Sequence, residues 1–148
     1  MENFQKEYAE YTASEKKINE MYHRIAMQLG ISDSVLWTLY CLSDDEGPHT
    51  QNSIAQKMAV PKQTINSAVN RLLKDGYVYL EQIPVGKNNK QILLTEKGCK
   101  FCAEQIIPVI GAVEKAFNHL SEDERKAYLS IGMKHNQFLL EELWMILV

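Results

Sequence analysis

The sequence predicts a mainly α-helical fold with one small antiparallel β-hairpin, and three observations carry that expectation. Apolar residues recur at helical spacing through most of the 148 residues. The pattern changes to strand character only once, between Tyr77 and Leu94. Capping residues and helix breakers stand where the periodic segments begin and end.

Ile18, Met21, Tyr22, Ile25 and Leu29 define a long first helix ending at Gly30, and Phe4, Tyr8 and Tyr11 extend its apolar content toward the N-terminus. Ser32 is the N-cap of a second helix carrying Val35, Leu36, Leu39 and Leu42, which Asp44-Asp45-Glu46-Gly47-Pro48 stops. Thr50 caps a short third helix, Gln51 to Met58, with Ile54, Ala55 and Met58 inward. The turn Ala59-Val60-Pro61 leads into a fourth helix from about Pro61 to Lys74, where proline is tolerated because a first-turn amide has no helical partner. Its inward stripe is Ile65, Val69, Leu72 and Leu73, and Gly76 lies just past its end. Tyr77-Val78-Tyr79-Leu80 and Gln91-Ile92-Leu93-Leu94 then flank Pro84 to Lys90 as a hairpin with a polar, basic tip. Thr95 caps a fifth helix with the stripe Cys99, Cys102, Ile106, Val109, Ile110, Val113 and Phe117, which Pro108 is expected to kink. Ser121 and Glu124 form a capping box that opens a sixth helix running to the end of the chain. These elements read as a single domain, 1–148, with a core at 32–98 between helical segments 1–30 and 99–148.

Hydrophobic residues at 45% and charged residues at 24% are ordinary for a globular chain and exclude disorder as the default. No apolar run approaches the roughly 20 residues of a membrane span. The N-terminal residues lack the basic and apolar regions of a secretory signal, so the three cysteines are expected as reduced thiols in the cytoplasm. The net charge of −3 hides an asymmetry: residues 57–100 hold eight basic and three acidic residues, +5 locally against −8 elsewhere. A basic middle between acidic flanks is the distribution expected of a surface that meets nucleic acid.

A short helix, a tight turn, a second helix and a basic hairpin together suit a duplex, because a helix fits the major groove, where each base pair has a distinct donor and acceptor pattern. On the fourth helix Lys62, Gln63, Thr64, Asn66 and Ser67 are candidates for base edges, Asn70 shares their face, and Arg71 and Lys74 are placed for phosphate. Thr50 and Gln51, opening the preceding helix, complete the helical set. Lys87, Asn88 and Lys90 near the hairpin tip are placed for an adjacent minor groove or for backbone phosphate.

Gln51 to Gly98 resembles the winged-helix core of the MarR family of bacterial regulators. The matching residues are Thr50-Gln51-Asn52-Ser53-Ile54-Ala55, Lys62 to Ser67, Arg71-Leu72-Leu73-Lys74-Asp75-Gly76-Tyr77-Val78 and Leu94-Thr95-Glu96-Lys97-Gly98. The flanking helices share the family's order and length, which extends the resemblance to nearly the whole chain. It implies a winged helix-turn-helix repressor that is a homodimer through its first, fifth and sixth helices. It further implies binding to a pseudo-palindromic operator, with recognition helices roughly 34 Å apart, and release by a small ligand or by oxidation. One departure matters: family wings commonly carry an Asp and Arg pair at the tip, whereas this stretch reads Gly86-Lys87-Asn88-Asn89-Lys90. Lysine is a point charge rather than a planar fork, so sequence reading is expected to rest on Lys62 to Asn70.

The terminal stretch containing Phe138, Leu139, Leu143, Trp144, Ile146 and Leu147 is too apolar for a solvated helix and, with Tyr8 and Tyr11, is expected to form a two-fold dimer interface. Tyr22, Met27, Trp37 and Tyr40 are expected beside the core as the wall of an effector pocket, although core packing explains the same residues. Cys99 and Cys102 form a CxxC on an apolar stripe, where packing is the first expectation and thiol redox sensing the alternative. No ligand set for a metal, no catalytic constellation and no cofactor motif is visible, so no enzyme is expected. The rival to DNA binding is a winged-helix protein-interaction module whose basic face meets an acidic partner.

Overall fold

The computed structural model describes residues 1–44, 46–83 and 90–147. It divides into two compact units, Met1–Val109 and Ile110–Val148. In order the elements are α1 (Glu2–Leu29), α2 (Asp33–Asp44), α3 (Gln51–Met58), α4 (Lys62–Lys74), β1 (Val78–Gln82), β2 (Lys90–Leu94), α5 (Glu96–Phe101), a π-helical turn (Cys102–Ile106), α6 (Ile107–Asn118) and α7 (Glu122–Leu147).

The expected caps hold the helix ends. Gly30 closes α1 in the left-handed conformation at φ 71°, which glycine adopts without the Cβ penalty. Ser32 Oγ accepts the Val35 amide at 3.2 Å and opens α2. Thr50 Oγ1 accepts the Ser53 amide at 3.0 Å while Ser53 Oγ accepts the Thr50 amide at 2.8 Å, a reciprocal box around the first turn of α3. Ser121 and Glu124 exchange the same pair of bonds at the start of α7, and hydrogen bonding to the carboxylate from the Ser121 amide, then from its side chain, holds the Glu124 carboxyl below its ordinary value. Ala59 turns the chain between α3 and α4 at φ 53°, a strained conformation for a residue with a Cβ.

The core of the first unit lies among α2, α3, α4 and the hairpin. Leu36, Leu39, Ile54, Ile65, Val69, Leu72 and Ile92 are each no more than 2% exposed. On α4 the buried residues are Ile65, Ala68, Val69 and Leu72, spaced i, i+3, i+4 and i+7, so the stripe takes in Ala68 while Leu73 stays half-buried at its edge. Thr38 is fully buried on α2, its hydroxyl donating back to the Ser34 carbonyl at 2.7 Å.

The hairpin runs in register from Val78 opposite Leu94 to Gln82 opposite Lys90. Both strands are longer toward the tip than the sequence pattern indicates, because cross-strand hydrogen bonding continues through Glu81, Gln82 and Lys90, which are polar on both faces. The Ile92 amide, on the other edge of β2, donates to the His49 carbonyl at 2.7 Å and ties the hairpin to the segment before α3.

On α1 the apolar stripe is largely uncovered within the chain: Ala26 is the one buried residue of the helix, while Ile18 is 56% and Met21 52% exposed. Two expectations need correction. Along the fifth helical segment Cys102, Ile106 and Ile110 are buried, but Cys99 is exposed and Phe117 is 41% exposed. The position facing inward at the start of α5 is Gly98, so the stripe begins one residue earlier than the apolar side chains suggest. The expected kink takes the form of a π-helical turn, in which the Ile107 amide bonds the Cys102 carbonyl five residues back. Pro108 has no amide for the ladder and its ring crowds the carbonyl four residues earlier, which an i→i+5 turn relieves.

Gly98 is where α5 meets the turn after α4. A Cβ at that position would stand 1.9 Å from the Tyr77 carbonyl oxygen, a backbone atom with no room to yield. Gly98→Ala is therefore expected to destabilise the chain by about 3 kcal/mol or more, at the upper end of overpacking costs. Denaturant unfolding monitored by circular dichroism measures it, and a loss below about 1 kcal/mol would show that the close approach is soft.

Candidate nucleic-acid interface

The candidate surface is built on α4. With Ile65, Ala68, Val69 and Leu72 turned into the core, helical geometry puts Lys62, Gln63, Ser67, Asn70, Arg71 and Lys74 outward, and all six are exposed. Thr64 and Asn66 are half-buried at its edges. The structure thus brings the candidate base-reading and phosphate-holding side chains of α4 onto one helix. Ser67 Oγ donates to the Gln63 carbonyl at 3.1 Å, leaving its lone pairs outward. Thr50 spends its hydroxyl on capping α3, and Gln51 is half-buried beside it.

Arg71 is not a free cation in this conformation. Its Nε donates to Asp75 Oδ2 at 2.9 Å, one helical turn away. Arg71 is exposed and Asp75 partly so, such i, i+4 pairs contribute only about 0.3–0.5 kcal/mol, and the bond engages Nε, so the other guanidinium donors can meet a phosphate while Asp75 holds the group. Lys90 stands exposed in β2 opposite Gln82 rather than at the hairpin tip. Lys87 and Asn88, with the rest of 84–89, lie outside the described residues.

Two residues escaped the sequence reading. Asp75 holds Arg71, and its spacing of four from Arg71 on a helix was signal enough to find it. Lys97 donates from Nζ to the Asp75 carbonyl at 2.7 Å and lies 4.6 Å from the centroid of the Tyr77 ring, a contact across 22 residues that no local pattern announces.

A cavity of about 310 Å³ lies against α4, with Ser34, Ser67, Arg71, Asp75, Tyr77 and Phe101 in its wall. None of Tyr22, Met27, Trp37 and Tyr40 lines it. The structure brings three of those four together elsewhere: Tyr22 meets Trp37 edge-on at 4.7 Å and Trp37 meets Tyr40 at 5.6 Å, while Met27 stands 65% exposed. Among the described residues no group of three or more His, Cys, Asp or Glu side chains converges on a metal-sized site. Burial raises the thiol pKa of Cys41 and of Cys102, which favours the protonated form, and burial lowers that of the His49 imidazole.

On α7 no residue is buried, and Phe138, Leu139, Leu143, Trp144, Ile146 and Leu147 are 45–79% exposed. On α1 Tyr8 is 57% and Tyr11 42% exposed. Among the described residues no single helix is long and apolar enough to cross a membrane.

An amphipathic helix held across two others and followed by an antiparallel hairpin is the winged helix-turn-helix arrangement. Residues 29–87 match the model of the MarR family. The chain is 24% identical over 137 residues to the uncharacterized HTH-type transcriptional regulator YkoM of Bacillus subtilis, covering 90% of this chain and 88% of that protein. Its fold is similar to that of NMB1585, a MarR family regulator from Neisseria meningitidis (TM-score 0.72, 20% identity, 94% of this chain and 96% of the other). It is also similar to the S. aureus MepR chain in a MepR–DNA complex (TM-score 0.69, 19% identity, 89% and 96%).

Proposed function

We propose that the chain is a cytoplasmic transcriptional repressor that binds a pseudo-palindromic duplex as a homodimer, reading bases with α4 and occluding the site by occupancy. The observation that carries this reading is the division of α4 into a fully buried apolar stripe and an opposite face of six exposed polar or basic residues. The likeness in fold to a regulator crystallised on DNA supports it. Lys62, Gln63, Thr64, Asn66, Ser67 and Asn70 read base edges, and Arg71, Lys74, Lys87 and Lys90 hold phosphate.

Duplex selected from a random-sequence pool and titrated between 50 and 200 mM salt tests it. Six to ten phosphate contacts would cost about 10³–10⁵ in affinity across that range, and Arg71→Ala is expected to lower the log–log slope by about 1.8, about 0.9 for each of the two copies. A chain that enriches no duplex sinks the reading and favours docking of the basic face on an acidic protein.

The exposed apolar residues of α7 and the tyrosines of α1 support a second copy of the chain as the partner that covers them. Light scattering at micromolar concentration is expected to give twice the 17.0 kDa chain mass, and Trp144→Glu to shift it toward one. A wild-type monomer would refute the dimer.

Release by a small ligand is the third part of the proposal, and the cavity against α4 is its seat because a group entering there presses on the helix that reads bases. Linkage makes the test reciprocal: a compound that raises the melting temperature through this cavity is expected to weaken duplex binding by the factor by which duplex weakens the compound. A cavity ligand that leaves duplex affinity unchanged would remove this part.

A further inference from the structure

The end of α4 is fastened to the start of α5 by a joint that holds no base-reading residue. Three hydrogen bonds cross it: Thr95 Oγ1 donates to the Gly76 carbonyl at 2.6 Å, the Thr95 amide to the Tyr77 carbonyl at 3.0 Å, and Lys97 Nζ to the Asp75 carbonyl at 2.7 Å. The Lys97 ammonium also lies 4.6 Å from the Tyr77 ring centroid, and that ring packs on Phe101 with centroids 4.9 Å apart. Gly98 allows this approach, since any side chain there would meet the Tyr77 carbonyl.

Asp75 is the hinge-point of the joint, and it is held from two sides. Its carbonyl belongs to the end of α4, where carbonyls lack helical partners and the helix dipole presents its negative end; a lysine ammonium satisfies both conditions. Its carboxylate meets Arg71 Nε at 2.9 Å. An ion pair between two exposed groups is too weak to fix a long side chain by itself. Anchoring one partner through its backbone removes part of the freedom that such a pair must otherwise lose.

Building on the reading that α4 meets duplex DNA, we propose that Lys97 is a positioning residue for DNA binding. It touches no DNA; it fixes Asp75, and through Asp75 it presents the Arg71 guanidinium and the C-terminal turn of α4 in a set orientation. Lys97 is basic and exposed, and counting charges alone would assign it to phosphate. Its position on the Asp75 carbonyl and the Tyr77 ring assigns it to the protein instead.

The two assignments differ in salt dependence. With full-length chain and the duplex that wild type selects from a random pool, Lys97→Met is expected to bind roughly three- to tenfold more weakly at every salt concentration, the range for one side chain that must be ordered on binding. The log–log salt slope stays at the wild-type value, because no phosphate contact is lost. Lys97→Arg, which reaches the same carbonyl, is expected to recover most of the affinity. In an Arg71→Ala background the loss from Lys97→Met shrinks toward nothing, since the residue acts through Arg71.

A slope lowered by about 1.8 in Lys97→Met, about 0.9 for each copy in the dimer, would overturn the proposal in favour of direct phosphate contact. Unchanged affinity, or an undiminished loss in the Arg71→Ala background, would overturn it as well. A wild-type chain that enriches no duplex brings down the underlying reading, and with it this one, before any variant is made.

Discussion

Everything in the winged core depends on the burial of one side of α4. Ile65, Val69 and Leu72 are at most 2% exposed, packed toward α2 and α3, and each is worth roughly 1.5–3 kcal/mol when removed from water. Their sum is comparable with the whole net stability of a typical domain. A rotation of α4 by one residue, about 100°, would put them into solvent, so the helix has one orientation open to it. The direction of Gln63, Ser67, Asn70 and Arg71 follows from that, without any interaction of their own. What reads outward is whatever the core leaves over.

The same constraint explains how a chain with net charge −3 can present a cationic face. Charge acts over roughly 8 Å at physiological ionic strength, so a ligand approaching α4 feels its neighbourhood and not the total. Locally one acidic residue holds a cation in place: Asp75, at the C-cap of α4, pairs with Arg71 one turn back. On the proposed reading, specificity and attraction would come from different residues, the polar side chains of the first two turns supplying one and the cations further along the other.

The helix ends were the most legible part of the sequence. Gly30, Ser32, Thr50, Thr95 and Ser121 all act as the pattern indicates, because a cap is a contact over three or four residues and needs no tertiary partner. The exposed face of α4 was legible for the same reason. What failed was whatever depended on a neighbour. Ile18 and Met21 have helical spacing yet stand in solvent, since periodicity says that a face is apolar and not that something covers it. Cys99 yielded its place to Gly98 because the decisive object is the Tyr77 carbonyl, 21 residues away. Pro108 announced a break, but whether a kink or a π-helical turn relieves the clash depends on what the surrounding backbone permits. Lys97 looked like one more basic residue until its partner was known.

In α7 the same logic runs in reverse. The helix has 26 residues, a satisfied capping box and no buried residue. Helix propensity and caps are worth fractions of a kcal/mol per residue, and helical stability in proteins comes mostly from packing an apolar face. Within its own unit α7 packs Tyr128 on Phe117 at 6.3 Å, near the start. The stretch from Phe138 to Leu147 carries eight large hydrophobic side chains and, among the described residues, buries none of them. Holding that much apolar surface in water opposes the helix it sits on, and a second copy of the chain, as proposed above, would remove that opposition by covering it. The cap sets where the helix begins; on that proposal the partner lets it continue.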